Sequence, residues 1–308
     1  MAQNQGNTSS REQQRAGLNR IELGSKRNSW GNTRGRDTVQ MRASSKQLLQ
    51  SLKKFQLQIG NVSQLRIMLH GPIGSGKSSF FNSVNTAIQG CNMADALVDS
   101  TGGKSYSFTL EFHKVKKDRP RSFYPFVFAD TMGLEPESSN GIHTDDLNNI
   151  LLGHIKEGYT FNPIHPISTE DIDYKHDPSL TDRIHCLLSV LPADNISLIS
   201  EEVIQKMKTV RGKARDLGIP QIAIMTMVDK ACPLVQNDLE KVYISKRIKE
   251  KMKVCSDRLG VPMNCIFPVQ NYFEQVTNNV KMDILLLMAI KNIIAIANDY
   301  AENQACAE

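Results

Sequence analysis

The chain has 308 residues, 40% of them apolar, and a formal net charge of +5. That length suits one large or two small domains with a sizeable core. Residues 1–46 hold nine Lys or Arg against three acids, so the remainder is close to neutral, which argues against a nucleic-acid-binding body. The cysteines at 91, 186, 232, 255, 265 and 306 form no C-x-x-C pair and read as reduced thiols, not zinc ligands or disulfides.

Residues 1–43 are rich in Gln, Asn, Ser, Gly and Arg, with no helical or strand period and no signal-peptide core. They predict a disordered basic tail, with nucleic-acid contact no more than weak. Leu48, Leu52 and Phe55 fall at helical spacing and predict a leading helix over 44–59. It opens a P-loop domain expected to span 44–300, with 301–308 as a C-terminal tail. Leu65-Arg66-Ile67-Met68-Leu69 reads as a buried strand within 64–70, and 77–89 as a helix.

Between them lies Gly71-Pro72-Ile73-Gly74-Ser75-Gly76-Lys77-Ser78-Ser79, which fills the fixed places of the G-x-x-x-x-G-K-[ST] phosphate loop. Gly74 and Gly76 let the backbone curl and aim N–H groups at phosphate oxygens, and the helix that opens near Gly76 adds its positive end. Lys77 can reach β- and γ-phosphates, and the Ser78 hydroxyl can bind Mg²⁺. Gly71, Gly74, Ser75, Gly76, Lys77, Ser78 and Ser79 are therefore the expected phosphate-binding residues.

Asp99-Ser100-Thr101-Gly102-Gly103 is a loop in which Thr101, with Ser100 in reserve, is a candidate to close over Mg²⁺ and a γ-phosphate; a plain loop threonine is an equal alternative. Ser105 to Phe112 alternates at period two, predicting an antiparallel edge strand, and Lys114–Arg121 reads as a turn. The apolar run Phe123–Ala129 predicts a strand covered on both faces. It ends in Asp130-Thr131-Met132-Gly133, where Asp130 suits the Mg²⁺ shell and the Gly133 N–H a γ-phosphate. The next residue is Leu134, which cannot orient an attacking water as Gln does in fast GTPases. Glu135 or His143 could substitute, though each also reads as an ordinary loop or helix-cap residue, so slow hydrolysis is expected.

A helix over 143–156 follows, capped by Thr144 and ended by Gly158, and then a proline-punctuated loop from Gly158 to Asp182. Ile184–Leu191 is a buried strand in which His185 reads as a hydrogen-bonded core histidine. Ser200 opens a helix that Gly218 stops, and Gln221–Met227 is another strand. That strand runs into Thr226-Met227-Val228-Asp229. An Asp229 carboxylate could accept from the guanine N1–H and N2–H₂, although capping a helix is the competing reading. The usual base-reading pattern is [NT]-K-x-D; here Met227 takes the lysine's place, so an apolar stem can cover the base but the cation is missing. A helix carries Ile244, Ile248, Met252, Cys255 and Leu259 on one face, and Cys265–Val269 is a short strand, after which Val269-Gln270-Asn271-Tyr272 is expected to line the base pocket, from topology alone. The last helix should bury Leu286, Ile290, Ile293 and Ala297. The greasiest run, Ile284–Ile296, is too short to span a bilayer.

The order predicts an α/β, three-layer, Ras-like P-loop GTPase domain, with a six-stranded, mostly parallel sheet and one antiparallel edge strand. Ligands of such sheets sit at the strands' carboxyl ends.

The phosphate loop with its continuation Phe80-Phe81-Asn82-Ser83-Val84, then Asp130-Thr131-Met132-Gly133-Leu134 and Pro178-Ser179-Leu180-Thr181-Asp182-Arg183-Ile184-His185-Cys186, resembles the interferon-induced protein 44 and 44-like family. The resemblance covers about residues 45–300. It implies a P-loop GTPase fold, GTP binding through Lys77, Ser78, Asp130, Gly133 and Asp229, with Thr101 as a further candidate, and a cytoplasmic protein of the vertebrate antiviral and innate-immune response. Longer members carry an N-terminal TLDc-type domain where this sequence has a short basic tail, and Met227 stands where the family tends to have lysine. The expected ligands are GTP or GDP and Mg²⁺, and the expected partner is a protein effector reading the loops near Thr101 and Gly133–Gly141. The sequence is compatible with a monomer or an oligomer. A non-catalytic scaffold with structural or no nucleotide is the alternative.

Overall fold

The computed structural model describes residues 34–91, 108–117, 122–137, 140–273, 275 and 277–307. By contact the chain divides into Met1–Val39 and Gln40–Glu308. Helix α1 runs Arg34–Lys53 and so begins before the helix expected from 44. Its buried face explains the difference: Met41 and Leu52 are buried and Leu48 and Leu49 pack on the core, whereas the polar first turns carry no hydrophobic period.

Among the described residues six strands form one sheet in the order β2-β3-β1-β4-β5-β6. They are β1 (Leu65–His70), β2 (Glu111–Lys116), β3 (Phe123–Asp130), β4 (Cys186–Pro192), β5 (Gln221–Thr226) and β6 (Ile266–Pro268). Only β2 is antiparallel, paired with β3 at the edge; β1 lies parallel between β3 and β4. The α/β architecture is the one the sequence predicts. Every residue of β4 is buried, as a strand covered by helices on both faces requires.

The helices are α2 (Lys77–Gln89), α3 (Thr144–Leu152), α4 (Glu201–Asp216), α5 (Val228–Ala231), α6 (Pro233–Asn237), α7 (Lys246–Leu259) and α8 (Val280–Ala305). α2 and α8 pack together, α8 also against β1, β4 and β6; α3 packs on α4, and α4 on α7. Leu286, Ile290, Ile293 and Ala297 are buried along α8 as expected, and the helix continues past 300 to Ala305. No helix among the described residues is long and apolar enough to cross a membrane.

Several boundaries moved. β2 starts at Glu111 and continues through Lys116, so the turn closes by the Lys117 N–H to the Ser122 carbonyl; of the strand expected from Ser105, residues 105–107 lie outside the described residues and 108–110 are not part of β2. Pairing with β3, not the upstream alternation, decides where β2 lies, and Val115 is its buried residue. α3 stops at Gly153, which is left-handed (φ 84°) and pressed against the Asp182 backbone; its cap is His143, whose Nδ1 accepts from the Asp145 N–H at 3.2 Å. Ser245 caps α7, which leaves Ile244 outside the helix and 73% exposed.

Candidate functional site

At the carboxyl end of β1 the chain turns through Gly71–Gly76 into α2. A Cβ on Gly71 would sit 2.2 Å from the Val190 carbonyl oxygen, so only glycine lets β1 and β4 keep their spacing. Gly74 (φ 69°) and Gly76 (φ 88°) are left-handed, and Gly76 is the N-cap of α2 without any side-chain cap. The first N–H groups of a helix have no partner within it. Those of Lys77, Ser78 and Ser79 therefore face the loop's concavity together with the helix dipole, the local arrangement of an anion cradle.

Lys77 is buried, and its Nζ lies 3.4 Å from the Gly71 carbonyl and 3.3 Å from the Pro72 carbonyl. Burial lowers its pKa, and the Asp130 charge partly restores it. A buried ammonium held by two long hydrogen bonds is a strong electrostatic attractor for an anion. The Ser78 hydroxyl donates to Asp130 Oδ2 at 2.6 Å, and the other Asp130 oxygen accepts the Thr131 N–H at 3.0 Å. The Thr131 hydroxyl in turn donates to the Leu69 carbonyl at 2.8 Å, which fixes the end of β3 against β1. Mg²⁺ prefers one or two protein oxygens, completed by phosphate and water. The Ser78–Asp130 pair fits that requirement, and no group of three or more His, Cys, Asp or Glu suited to a metal occurs among the described residues. Ser79 follows in the first turn of α2, and its carbonyl accepts the Ser83 hydroxyl at 2.6 Å. Thr101 and Ser100 lie outside the described residues.

Gly133 is packed against Ile73 of the phosphate loop, and Leu134 is buried rather than turned toward solvent. Glu135 is half-buried, and its backbone carbonyl accepts from Lys206 Nζ at 2.8 Å; no hydrogen bond joins its carboxylate to the phosphate loop among the described residues. His143 caps α3, the plainer of its two expected roles.

On the far side, the buried Thr226 hydroxyl donates to the Ser75 carbonyl at 2.7 Å, tying β5 to the phosphate loop. Met227 adopts φ 55°, the one non-glycine left-handed residue among those described. It turns the chain into α5, where Asp229 occupies the first turn with no hydrogen-bond or ion partner among the described residues. Capping, the competing reading of Asp229, is not what its side chain does: the N-cap is Met227. Asn271 donates through Nδ2 to the Gly76 carbonyl at 3.1 Å, so it braces the phosphate loop.

Three interactions escaped the sequence reading. His70 is fully buried beneath the loop with its Nε2 2.8 Å from Ser189 Oγ; burial, then the Arg211 and Lys77 charges, push its pKa down to about 3. Ser83 accepts the Tyr272 N–H at 2.8 Å, which locks the segment carrying Asn271 onto α2. The Tyr272 hydroxyl donates to Asp283 at 2.8 Å, and burial raises that carboxyl to about 6. His185 is a core histidine as expected: its Nδ1 accepts the Arg66 N–H at 2.9 Å, and burial holds its pKa at about 4. Only the Phe-Phe-Asn-Ser-Val continuation of the loop hinted at Ser83.

No family model matches the chain. Among solved structures it is similar to Toc33 from Arabidopsis thaliana in complex with Mg²⁺ and GMPPNP, at 15% identity and TM-score 0.46, covering 87% of this chain and 94% of that one. It is also similar to a probable GTP-binding protein engB, at 10% identity and TM-score 0.41, covering 76% and 99%. Interferon-induced protein 44 of Homo sapiens is 33% identical over 258 residues, which is 84% of this chain and 58% of that protein. Interferon-induced protein 44-like of Homo sapiens is 32% identical over 265 residues, 86% of this chain and 58% of that protein. The chain thus spans a little under three-fifths of the length of these relatives. Across that shared span, which includes the phosphate loop, Asp130 and the Pro178–Cys186 segment that first carried the resemblance, the chain belongs to the interferon-induced protein 44 and 44-like family.

Proposed function

We propose that this protein binds guanine nucleotide with Mg²⁺, hydrolyses it slowly or not at all, and acts in the cytoplasm in the interferon-linked antiviral and innate-immune response. The observation that carries the reading is Lys77, a buried ammonium in a glycine cradle, one residue before the Ser78–Asp130 pair. In this reading Gly74, Ser75, Gly76, Lys77, Ser78 and Ser79 hold the phosphates, and Gly71 keeps the loop against β4. Ser78 and Asp130 hold Mg²⁺, with Thr101 completing its shell. The metal, when bound, supplies charge neutralisation between phosphate oxygens.

Asp229 accepts from the guanine edge, while Thr226 and Asn271 support the pocket from behind the phosphate loop. Slow turnover is expected from Leu134: a buried aliphatic side chain cannot orient water, and among the described residues neither Glu135 nor His143 hydrogen-bonds to the phosphate loop. A protein effector would read the loops around Thr101 and Gly133–Gly141. The second reading, a scaffold in which nucleotide is structural or absent, draws on Leu134 and on Met227 in the base-reading pattern.

The test is a titration of the purified protein with labelled GTP, GDP and ATP in the presence of Mg²⁺, beside Lys77→Ala. Guanine nucleotides should bind the parent, and Lys77→Ala should weaken them about 100-fold, the scale of losing a charged hydrogen-bond partner in a buried site. Equal binding by parent and variant would defeat the site assignment, and preference for ATP would defeat the role of Asp229.

A further inference from the structure

The segment after Asp130 is fastened to the phosphate loop itself. The Leu134 N–H donates to the Gly71 carbonyl at 3.0 Å, and the Ile73 N–H donates to the Leu134 carbonyl at 3.3 Å, a small parallel bridge across Pro72. Gly133 has no room to spare beneath it: a Cβ there would lie 2.4 Å from Ile73 Cγ1 and 2.9 Å from Ile73 Cα. The Leu134 side chain is 1% exposed, so the bridge is sealed by an apolar plug.

The same segment is held from two other sides. The Ile142 N–H donates to the Gly133 carbonyl at 3.2 Å, and Gly141, left-handed at φ 74°, packs against that carbonyl and the Glu135 N–H. From α4, Lys206 Nζ donates to the Glu135 carbonyl at 2.8 Å and the Glu137 carbonyl at 3.2 Å. A nucleotide switch works when a γ-phosphate draws the D-x-x-G glycine inward and its loss lets the loop go. Here that glycine is already bound up with the phosphate loop. Bringing it to a γ-phosphate would break the Leu134 bridge and unseat Leu134.

We propose that Ile73, Leu134 and Lys206 make this segment a fixed wall of the site, so that the pocket does not read the γ-phosphate and takes guanosine di- and triphosphates alike. This rests on the guanine-nucleotide reading above and adds its specificity: binding is carried by Lys77 and the α2 amides, which meet phosphate in both forms, and the Gly133 segment adds nothing for the γ-phosphate. A ligand that finds the same contacts in both of its forms shifts no equilibrium. Signalling by the γ-phosphate through this loop is therefore closed off, and occupancy of the site, not the state of the nucleotide, is what a partner would sense.

The experiment uses the full chain with Mg²⁺, GDP and the non-hydrolysable imidotriphosphate of guanosine, measured by titration and by amide hydrogen exchange. The two nucleotides should bind within about threefold of each other, and the Leu134 and Ile73 amides should exchange slowly to the same degree in the free protein and with either ligand. Ile73→Ala combined with Lys206→Ala should speed exchange at Leu134 and bring out a preference of about tenfold or more for the imidotriphosphate. Lys206→Ala alone, a change at a half-buried side chain that bonds the Glu135 and Glu137 carbonyls, should show the exchange effect if the double variant folds poorly. A tenfold triphosphate preference in the parent protein would overturn the inference while leaving guanine-nucleotide binding intact. Leu134 exchanging in the free protein at the rate of an open loop would overturn it equally. Binding of neither nucleotide would defeat the guanine-nucleotide reading, and this inference with it.

Discussion

Around Lys77, position is set by backbone and by buried groups that hold one another: Gly71 lies against Val190, Thr226 and Asn271 brace the loop carbonyls, and Thr131 pins β3 to β1. Around Asp229 the chain offers single side chains. Asp229 has no partner among the described residues, and Met227 is a half-buried thioether on a left-handed backbone. The phosphate side is thus part of the fold's own framework, whereas the base side hangs from one short helix, α5. Substitutions should separate the two: on the phosphate side they should cost stability and binding together, on the base side binding alone.

The largest effect belongs to Gly71→Ala. Its Cβ would meet a backbone carbonyl at 2.2 Å, and neither β1 nor β4 can yield without disturbing the ladder that joins them. A loss of about 3 kcal/mol is expected, at the upper end for overpacking a core. The urea midpoint should fall with an unchanged m-value. Gly74→Ala is the internal control. No atom lies within 4 Å of its Cβ position, so only the φ of 69° is penalised, by roughly 1 kcal/mol. Equal losses at the two glycines would break the claim that the phosphate loop is wedged into the sheet.

Much of this was legible in the sequence because the chemistry of a phosphate loop demands particular residue types at fixed spacing. Gly71, Lys77, Ser78 and Asp130 are such residues, and the apolar runs of β1, β3 and β4 gave the sheet that positions them. What was hidden depends on tertiary neighbours. Ile73 is an unremarkable position within the motif until Gly133 is placed against it, and Lys206 reads as one more helix lysine until its Nζ reaches Glu135 and Glu137. The pairing of Asn271 with Gly76 joins residues 195 apart, beyond any local pattern. Ile244 erred the other way: helical spacing placed it on the buried face of α7, but Ser245 caps the helix one residue later.

Asp229→Ala should reverse the signature of Gly71→Ala. With no partner to leave unpaired, the thermal midpoint should stay within about 1 °C, the usual range for a surface change. Guanine-nucleotide affinity should fall about tenfold or more, as expected when a charged acceptor is removed from two donors, and the margin over adenine should close. A drop in stability comparable to the loss in binding would show that Asp229 belongs to the framework after all.

His70 extends the comparison to pH. Burial keeps it neutral in the folded protein down to about pH 3, while in the unfolded chain it gains a proton below about 6.5. The unfolded state therefore binds more protons in between, and stability that is intact above pH 6.5 drains as the pH falls. Between pH 6.5 and 5.5 this group alone should remove about 1 kcal/mol. His70→Gln should lose about 1 kcal/mol less than the parent over that interval, measured by urea unfolding at each pH. Asp146, His185 and Asp283 titrate identically in both proteins and cancel. Parallel pH profiles would mean that the floor of the phosphate loop is wetter than its packing implies.

The smallest effect is expected at Met227→Lys, and it isolates the base side most cleanly. Lysine and methionine suffer alike at φ 55°, and both present a straight aliphatic stem, so the folding free energy should not change measurably. What changes is the charge at the end of the stem. A cation beside an exposed aromatic face contributes roughly 0.5–1 kcal/mol, which predicts about a two- to fivefold gain in guanine-nucleotide affinity. The gain should vanish in the Asp229→Ala background if both residues act on one base, because neighbours that share a ligand are not additive. A gain of equal size without Asp229 would place the Met227 side chain against something other than the base, and the base pocket would have to be sought elsewhere on the carboxyl edge of the sheet.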